Sequence, residues 1–184
     1  MKRRTLAAAT AALLMTSALG MSACSSELVA QSGSSSAQSA ANLDHERISS
    51  VLETVGGVMA TADASLNAAD LGDQVTKGAL EMRTAQYALA NANGQALPPL
   101  DFEPTSLAIT NSDSWPRAIF NISDTSSTAL PVLEVYVQDS ARSDYKLTNY
   151  ARLLGGTHLT LPSVGTGSAY VTGDSQGFTV TPDT

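Results

Sequence analysis

The chain has 184 residues, with 10 basic and 17 acidic side chains, a formal net charge of −7 at pH 7 and 43% hydrophobic residues. A surface this acidic is repelled by phosphate backbones and anionic headgroups, which argues against nucleic-acid binding and against membrane attachment through a basic patch. A single cysteine rules out an internal disulfide, so folding rests on the core alone.

The N-terminus reads Met1-Lys2-Arg3-Arg4, then an uncharged, mostly apolar run over residues 6–21, then Ser22-Ala23-Cys24. A charged start, a short apolar stretch and small residues before a cut are the three parts of a secretory signal. The apolar run is short for a membrane-spanning helix, which needs roughly 20 apolar residues. The arrangement resembles the signal peptide and lipobox of bacterial lipoproteins, with Met21 where that family prefers leucine. The resemblance implies that residues 1–23 are removed and that Cys24 becomes the first residue, with a diacylglyceryl group on its sulfur. Each buried methylene contributes about 0.8 kcal/mol, so two or three acyl chains fasten a protein firmly. The localisation this implies is the outer face of the cytoplasmic membrane, with the lipid at Cys24 as the membrane contact. Arg3-Arg4-Thr5-Leu6 carries part of a twin-arginine signal, so both export routes stay open.

Removal of residues 1–23 takes Lys2, Arg3 and Arg4 with it and leaves seven basic against 17 acidic residues, a net charge of −10. Residues 24–43 read as a tether. Within them, residues 31–41 are Ser, Ala, Gly and Gln, which bury too little surface to offset chain entropy. Residues 44–184 are the right size for one domain.

Asp44 is a good N-cap for a first helix. Ile48, Val51, Leu52, Val55, Met59, Ala62 and Leu66 follow helical spacing along one face. Gly56-Gly57 interrupts that run, which calls for a bend or for close packing by another element. A second helix is expected to start at Asp73, with Val75, Ala79, Met82 and Leu89 as its apolar stripe and Leu80 and Tyr87 beside it. Asn93-Gly94 ends it, and Pro98-Pro99 prevents continuation.

After Pro99 the pattern becomes alternating. Strands are expected over residues 106–110 and 115–122, the second with Pro116 arguing for an edge or a bulge near its start. Residues 123–128 read as a polar loop. The clearest strand is 132–138, with Leu133, Val135 and Val137 on one face and Glu134, Tyr136 and Gln138 on the other. Residues 145–154 alternate too, placing Leu147, Ala151 and Leu153 opposite Lys146, Thr148, Tyr150 and Arg152. Residues 159–161 and 169–171 are short candidates. Helices followed by antiparallel strands give an α+β domain, with N-terminal helices packed on a curved sheet. A cone-shaped NTF2-like domain has the same element order. Residues 179–184 supply no closing element, and the expectation is a chain that once ran on.

Two stretches carry a further resemblance. One is Leu71-Gly72-Asp73-Gln74-Val75-Thr76-Lys77-Gly78-Ala79-Leu80-Glu81-Met82-Arg83 with Tyr87-Ala88-Leu89-Ala90. The other is Trp115-Pro116-Arg117 with Val132-Leu133-Glu134-Val135 and Tyr145-Lys146-Leu147. Together they resemble a family of uncharacterised actinobacterial cell-envelope proteins, many of them lipoproteins. The resemblance implies an envelope protein and brings no activity or site residues.

Catalytic signals are sparse. His45 and His158 are far apart in sequence and make no metal pattern. No G-x-S-x-G supports a nucleophile elbow. A triad of His158 with a serine and Asp139 or Asp144 has no sequence signal. Gly165-Thr166-Gly167-Ser168 reads as a turn, because no helix follows to bind phosphate. Asp101 and Glu103 have the residue types of a glycosidase pair but sit in a proline-flanked linker. Arg83 reads as a surface arginine or, at a cavity rim, as a partner for Glu134. Trp115, Arg117 and Tyr136, with Arg83, form a candidate patch for glycan or protein contact, although core packing of Trp115 competes with that reading. No cofactor is implied. The expected function is non-enzymatic binding of an envelope protein or glycan. The alternative is a small-ligand-binding or enzymatic cone domain.

Overall fold

A computed structural model describes residues 41–123, 130–157 and 159–171. The signal segment, Cys24, most of the tether, residues 124–128 of the expected loop, His158 and the C-terminal stretch lie outside the described residues.

Asp44 caps the first helix, α1 (His45–Ser65), by accepting a hydrogen bond from the backbone N–H of Arg47 at 2.9 Å. That satisfies one of the donors a helix start leaves open. Ile48, Leu52, Val55, Met59 and Ala62 form its buried stripe. The helix continues without a break through Gly56-Gly57. Gly56 is there for packing: a Cβ would stand 3.1 Å from Cβ and Cγ of Phe102, which lies across the helix. Leu66 ends α1 in the left-handed region, at φ 50°.

A short 3-10 turn (Ala68–Leu71) buries Leu71 and leads to α2 (Lys77–Asn93). The second helix begins four residues later than Asp73. The intervening residues are taken by the sheet: Leu147 N donates to Gln74 O and Thr76 N donates to Leu147 O, both at 2.9 Å. The buried face of α2 is Ala79, Arg83, Tyr87 and Ala90. Met82 and Leu89, expected on that face, are 42% and 47% exposed. The face is set by the anchor at Val75 and by Arg83, not by the two largest apolar side chains.

Four strands follow: β1 (Ser106–Ile109), β2 (Arg117–Ser123), β3 (Val132–Gln138) and β4 (Lys146–Arg152). They pair antiparallel in the order β1-β2-β3-β4, so each strand lies beside its sequence neighbour. The architecture is α+β, two helices and then a four-stranded antiparallel sheet. β2 is an interior strand, and Pro116 stands just outside it, where its missing N–H costs no ladder bond. Residues 159–161 and 169–171 form no strand; nearby, Ser168 makes a single parallel bridge to Thr110.

The facing of β3 is the reverse of that expected from hydrophobicity. Val132, Glu134 and Tyr136 point into the core, and Leu133 and Val135 are only half-buried on the other face. In β4, Leu147 and Tyr150 are both buried although three apart in sequence. A register shift at Val135/Tyr136 explains this: Val135 pairs with Asn149 and Tyr136 with Leu147, which leaves Thr148 as the extra residue. The core between helices and sheet contains Ile48, Leu52, Met59, Leu71, Ile119 and Tyr136, all nearly inaccessible to water.

Candidate functional site

Three polar clusters interrupt the apolar packing, and they differ in how completely they are satisfied. In the first, Arg83 is 1% exposed. Its Nε donates to Asp63 Oδ1 at 2.8 Å and one terminal nitrogen binds Asp63 Oδ2. The other terminal nitrogen donates to Gln86 Oε1 at 2.8 Å and to Pro98 O at 3.0 Å. Tyr87 donates its hydroxyl to Asp63 Oδ1 at 2.6 Å, and Tyr150 from β4 reaches Gln86 Oε1 at 3.1 Å. Burial works against the charge of Arg83, but hydrogen bonding and attraction to Asp63 outweigh it and raise its pKa. Burial and Asp63 push the Tyr87 hydroxyl up as well. Arg83 is neither a surface arginine nor a partner of Glu134. It clamps α1, α2, the linker after α2 and, through Gln86, the sheet.

The second cluster surrounds Glu134, which is fully buried. Its Oε2 accepts from Tyr136 OH at 2.8 Å and from Asn121 Nδ2 at 3.0 Å, while Oε1 has no partner. Burial raises its pKa to about 7, against the pull of those two hydrogen bonds, and the charge of Asp101 adds to the rise. Asn121 also donates to Glu103 O at 3.1 Å and accepts from Thr105 N at 3.3 Å, which pins the linker to the sheet. Tyr136 is therefore a core residue and not part of a surface patch. Asp101 accepts from the backbone N–H of Glu103 at 3.1 Å, so that pair is a turn in the linker.

The third cluster is the candidate site. Core-facing positions on β2 and β3 alternate, and the last in each row, Arg117 and Gln138, are paired in the sheet register beyond the well-covered core. They meet the N-terminal half of α1 across a groove of about 460 Å³, whose walls include Arg47, Trp115, Arg117, Gln138 and Tyr145. A further hollow of about 300 Å³ adjoins it through Ser50, Val51, Gln138 and Tyr145 and extends to Asp144. The Arg117 guanidinium lies 4.2 Å from the centroid of the half-buried Trp115 ring.

Two groups in this wall lack partners. Arg117 Nε and Tyr145 OH are both shielded from water, and neither makes a hydrogen bond. Each such group costs about 1–3 kcal/mol, and a native structure holding two in the lining of one groove calls for an explanation. Burial raises the Tyr145 pKa, Arg117 lowers it and Tyr170 raises it, so three groups sense one another across the wall. Tyr170 donates its hydroxyl to Pro116 O at the same edge. Among the described residues no carboxylate lines the larger groove. Arg47 meets Asp44 only at 3.8 Å in a well-exposed pair, an arrangement that holds a guanidinium weakly.

Of the four residues expected to form one patch, Trp115 and Arg117 come together, and Arg83 and Tyr136 belong to the two interior clusters. Tyr145, Gln138 and Arg47 were not anticipated. The one signal in the sequence is that Tyr145 opens the expected strand 145–154, in a stretch that carries the family resemblance. His45 is exposed at the start of α1. Among the described residues no group of three or more His, Cys, Asp or Glu side chains is placed to hold a metal ion. No helix among them is long and apolar enough to cross a membrane. Compared with family models, curated proteins and solved structures, the chain matches none.

Proposed function

We propose that the protein is a non-enzymatic lipoprotein of the cell envelope that binds glycan in the groove beside Trp115 and Arg117. The anchor in this reading is lipid on Cys24 at the outer face of the cytoplasmic membrane, and residues 24–43 let the domain reach outward from it. The N-terminal charge, apolar run and Ser22-Ala23-Cys24 support the anchor, as does the resemblance to actinobacterial envelope lipoproteins.

The observation that carries the binding site is the pair of unpartnered polar atoms, Arg117 Nε and Tyr145 OH, in the wall of a groove that also holds an indole ring. A glycan fits this lining better than a protein surface does. Sugars are recognised by an aromatic ring together with fixed amides, hydroxyls and guanidinium groups, and Trp115, Gln138, Ser50 and Arg117 supply all four. A protein contact would call for a flatter and more apolar centre. The cone-domain alternative needs its pocket between helices and sheet, where Leu52, Met59 and Ile119 pack.

Two measurements test the reading. Metabolic labelling with a fatty acid should mark the wild-type protein and leave Cys24→Ala unlabelled; an unmodified thiol on native material defeats the anchor. Native protein in detergent should retain envelope glycan fragments, and Trp115→Ala should release them. Equal retention by wild type and Trp115→Ala defeats the groove as the site.

A further inference from the structure

Resting on that glycan reading, we infer that the groove selects a sugar bearing an oxyanion, held by Arg117 and Tyr145 together. A neutral sugar would leave the guanidinium without a counter-charge, and among the described residues no carboxylate lines the larger groove to provide one. An anion satisfies both orphans at once, because Nε and the tyrosine hydroxyl each donate and an oxyanion accepts. The remainder of the site has the opposite character. Gln138 donates its amide to Ser143 O at 2.6 Å and turns its carbonyl oxygen to no described donor. Ser50 lines both hollows, and Asp144 lies in the second. Those acceptors suit hydroxyl groups. The groove thus grades from anion-binding at Trp115 to hydroxyl-binding at Asp144, the charge distribution of a single acidic sugar and its neighbour.

The local field also opposes that of the molecule as a whole. The mature chain carries −10, so a polyanion is repelled at long range and admitted only where Arg117 and Arg47 stand. Such a site discriminates against extended polyanions such as nucleic acid while accepting one or two acidic sugars. Arg117 Nε and Tyr145 OH are shielded from water, so an incoming oxyanion reaches them when a neighbouring side chain moves. Tyr170, 41% exposed, donates to Pro116 O and interacts electrostatically with Arg117 and Tyr145, which makes it the neighbour we assign to that movement.

The test is calorimetric titration of the native protein in detergent with a panel of uronic-acid oligosaccharides, their methyl esters and sugar phosphates. The acids or the phosphates should bind at least tenfold more tightly than the neutral esters, with affinity falling as salt rises; which of the two binds identifies carboxylate or phosphate as the natural oxyanion. Tyr145→Phe should lose about tenfold in affinity for the acid and melt no lower than wild type, because it deletes a hydroxyl with no partner. Equal binding of acid and ester overturns the charge selection and leaves the glycan reading standing. Binding of none of the panel overturns both. Unchanged affinity in Tyr145→Phe shows that the buried hydroxyl is a packing feature and removes it from the site.

Discussion

Asp63 and Arg83 join the two helices of the domain through both oxygens of one carboxylate, in a region where Arg83 has almost no contact with water. Removing one partner of such a pair strands the other charge, which costs about 3–5 kcal/mol. Arg83→Met should lower unfolding free energy by an amount toward the lower end of that range, because the remaining Asp63 is 27% exposed and keeps the Tyr87 hydrogen bond. Replacing both, as Asp63→Leu with Arg83→Met, should recover a large part of the loss, since no charge is then left buried. Chemical denaturation followed by circular dichroism measures both variants. A loss below about 1 kcal/mol in Arg83→Met would place the pair among exposed ones and contradict its burial.

Glu134 makes stability depend on pH in a direction opposite to that of most carboxylates. Its pKa rises from 4.5 to about 7 on folding. The folded state therefore binds the proton more tightly than the unfolded chain does. The stabilisation this brings is fully present below about 4.5 and is lost as pH rises through about 7. A shift of this size corresponds to roughly 3 kcal/mol. Glu134→Gln mimics the protonated acid, so it should behave like wild type at pH 4 and be the more stable protein at pH 8. Melting curves across that range decide the matter, and parallel curves for the two proteins would show that Glu134 does not titrate on folding.

The adjacent glycines of α1 should respond differently to alanine. At Gly57 nothing lies within 4 Å of an added Cβ, so Gly57→Ala should stabilise the helix by up to about 1 kcal/mol. At Gly56 the added methyl meets Phe102 at 3.1 Å, and the same helical gain is offset by displacement of the ring. Thermal unfolding of the two variants should rank Gly57→Ala above wild type and above Gly56→Ala. The reverse ranking would mean that Phe102 does not pack on α1.

Where the sequence was readable and where it was not follows from what each signal measures. Helical period and a capping residue are local, and they locate the start of α1 and its buried stripe. Alternation is local too, and it locates β3 with the right bounds. Which face of β3 turns inward is decided by its neighbours, Ile119 and Asn121 on β2, and by the helices above. Counting apolar side chains selected the Leu133 face because a buried glutamate is rare. The ladder shift that gives Leu147 and Tyr150 the same face is likewise a property of the β3–β4 pair and has no trace in β4 alone. The ion pair of Arg83 spans twenty residues. Its only sequence trace is that Asp63 continues the Met59–Ala62 stripe of α1. The candidate groove was half visible: Trp115 and Arg117 are two residues apart, but Gln138 and Tyr145 join them only when the sheet assembles.

Trp115 is the only tryptophan in the chain, so all indole fluorescence reports on the groove wall. The Arg117 guanidinium covers one part of the ring at 4.2 Å. Arg117→Ala uncovers it to water, and the emission maximum should move to longer wavelength with stronger quenching by iodide. In the wild type an oxyanion that pairs with Arg117 draws the guanidinium toward itself, so the same ligand should change emission in proportion to occupancy and have no effect on Arg117→Ala. The free energy of a guanidinium on a half-buried indole lies between about 0.5 and 2 kcal/mol, which a charge-assisted hydrogen bond of about 1.5–3 kcal/mol can displace. An emission spectrum unaltered by the Arg117 substitution would place the indole outside the guanidinium's reach and break the link between stacking and binding on which this wall of the groove depends.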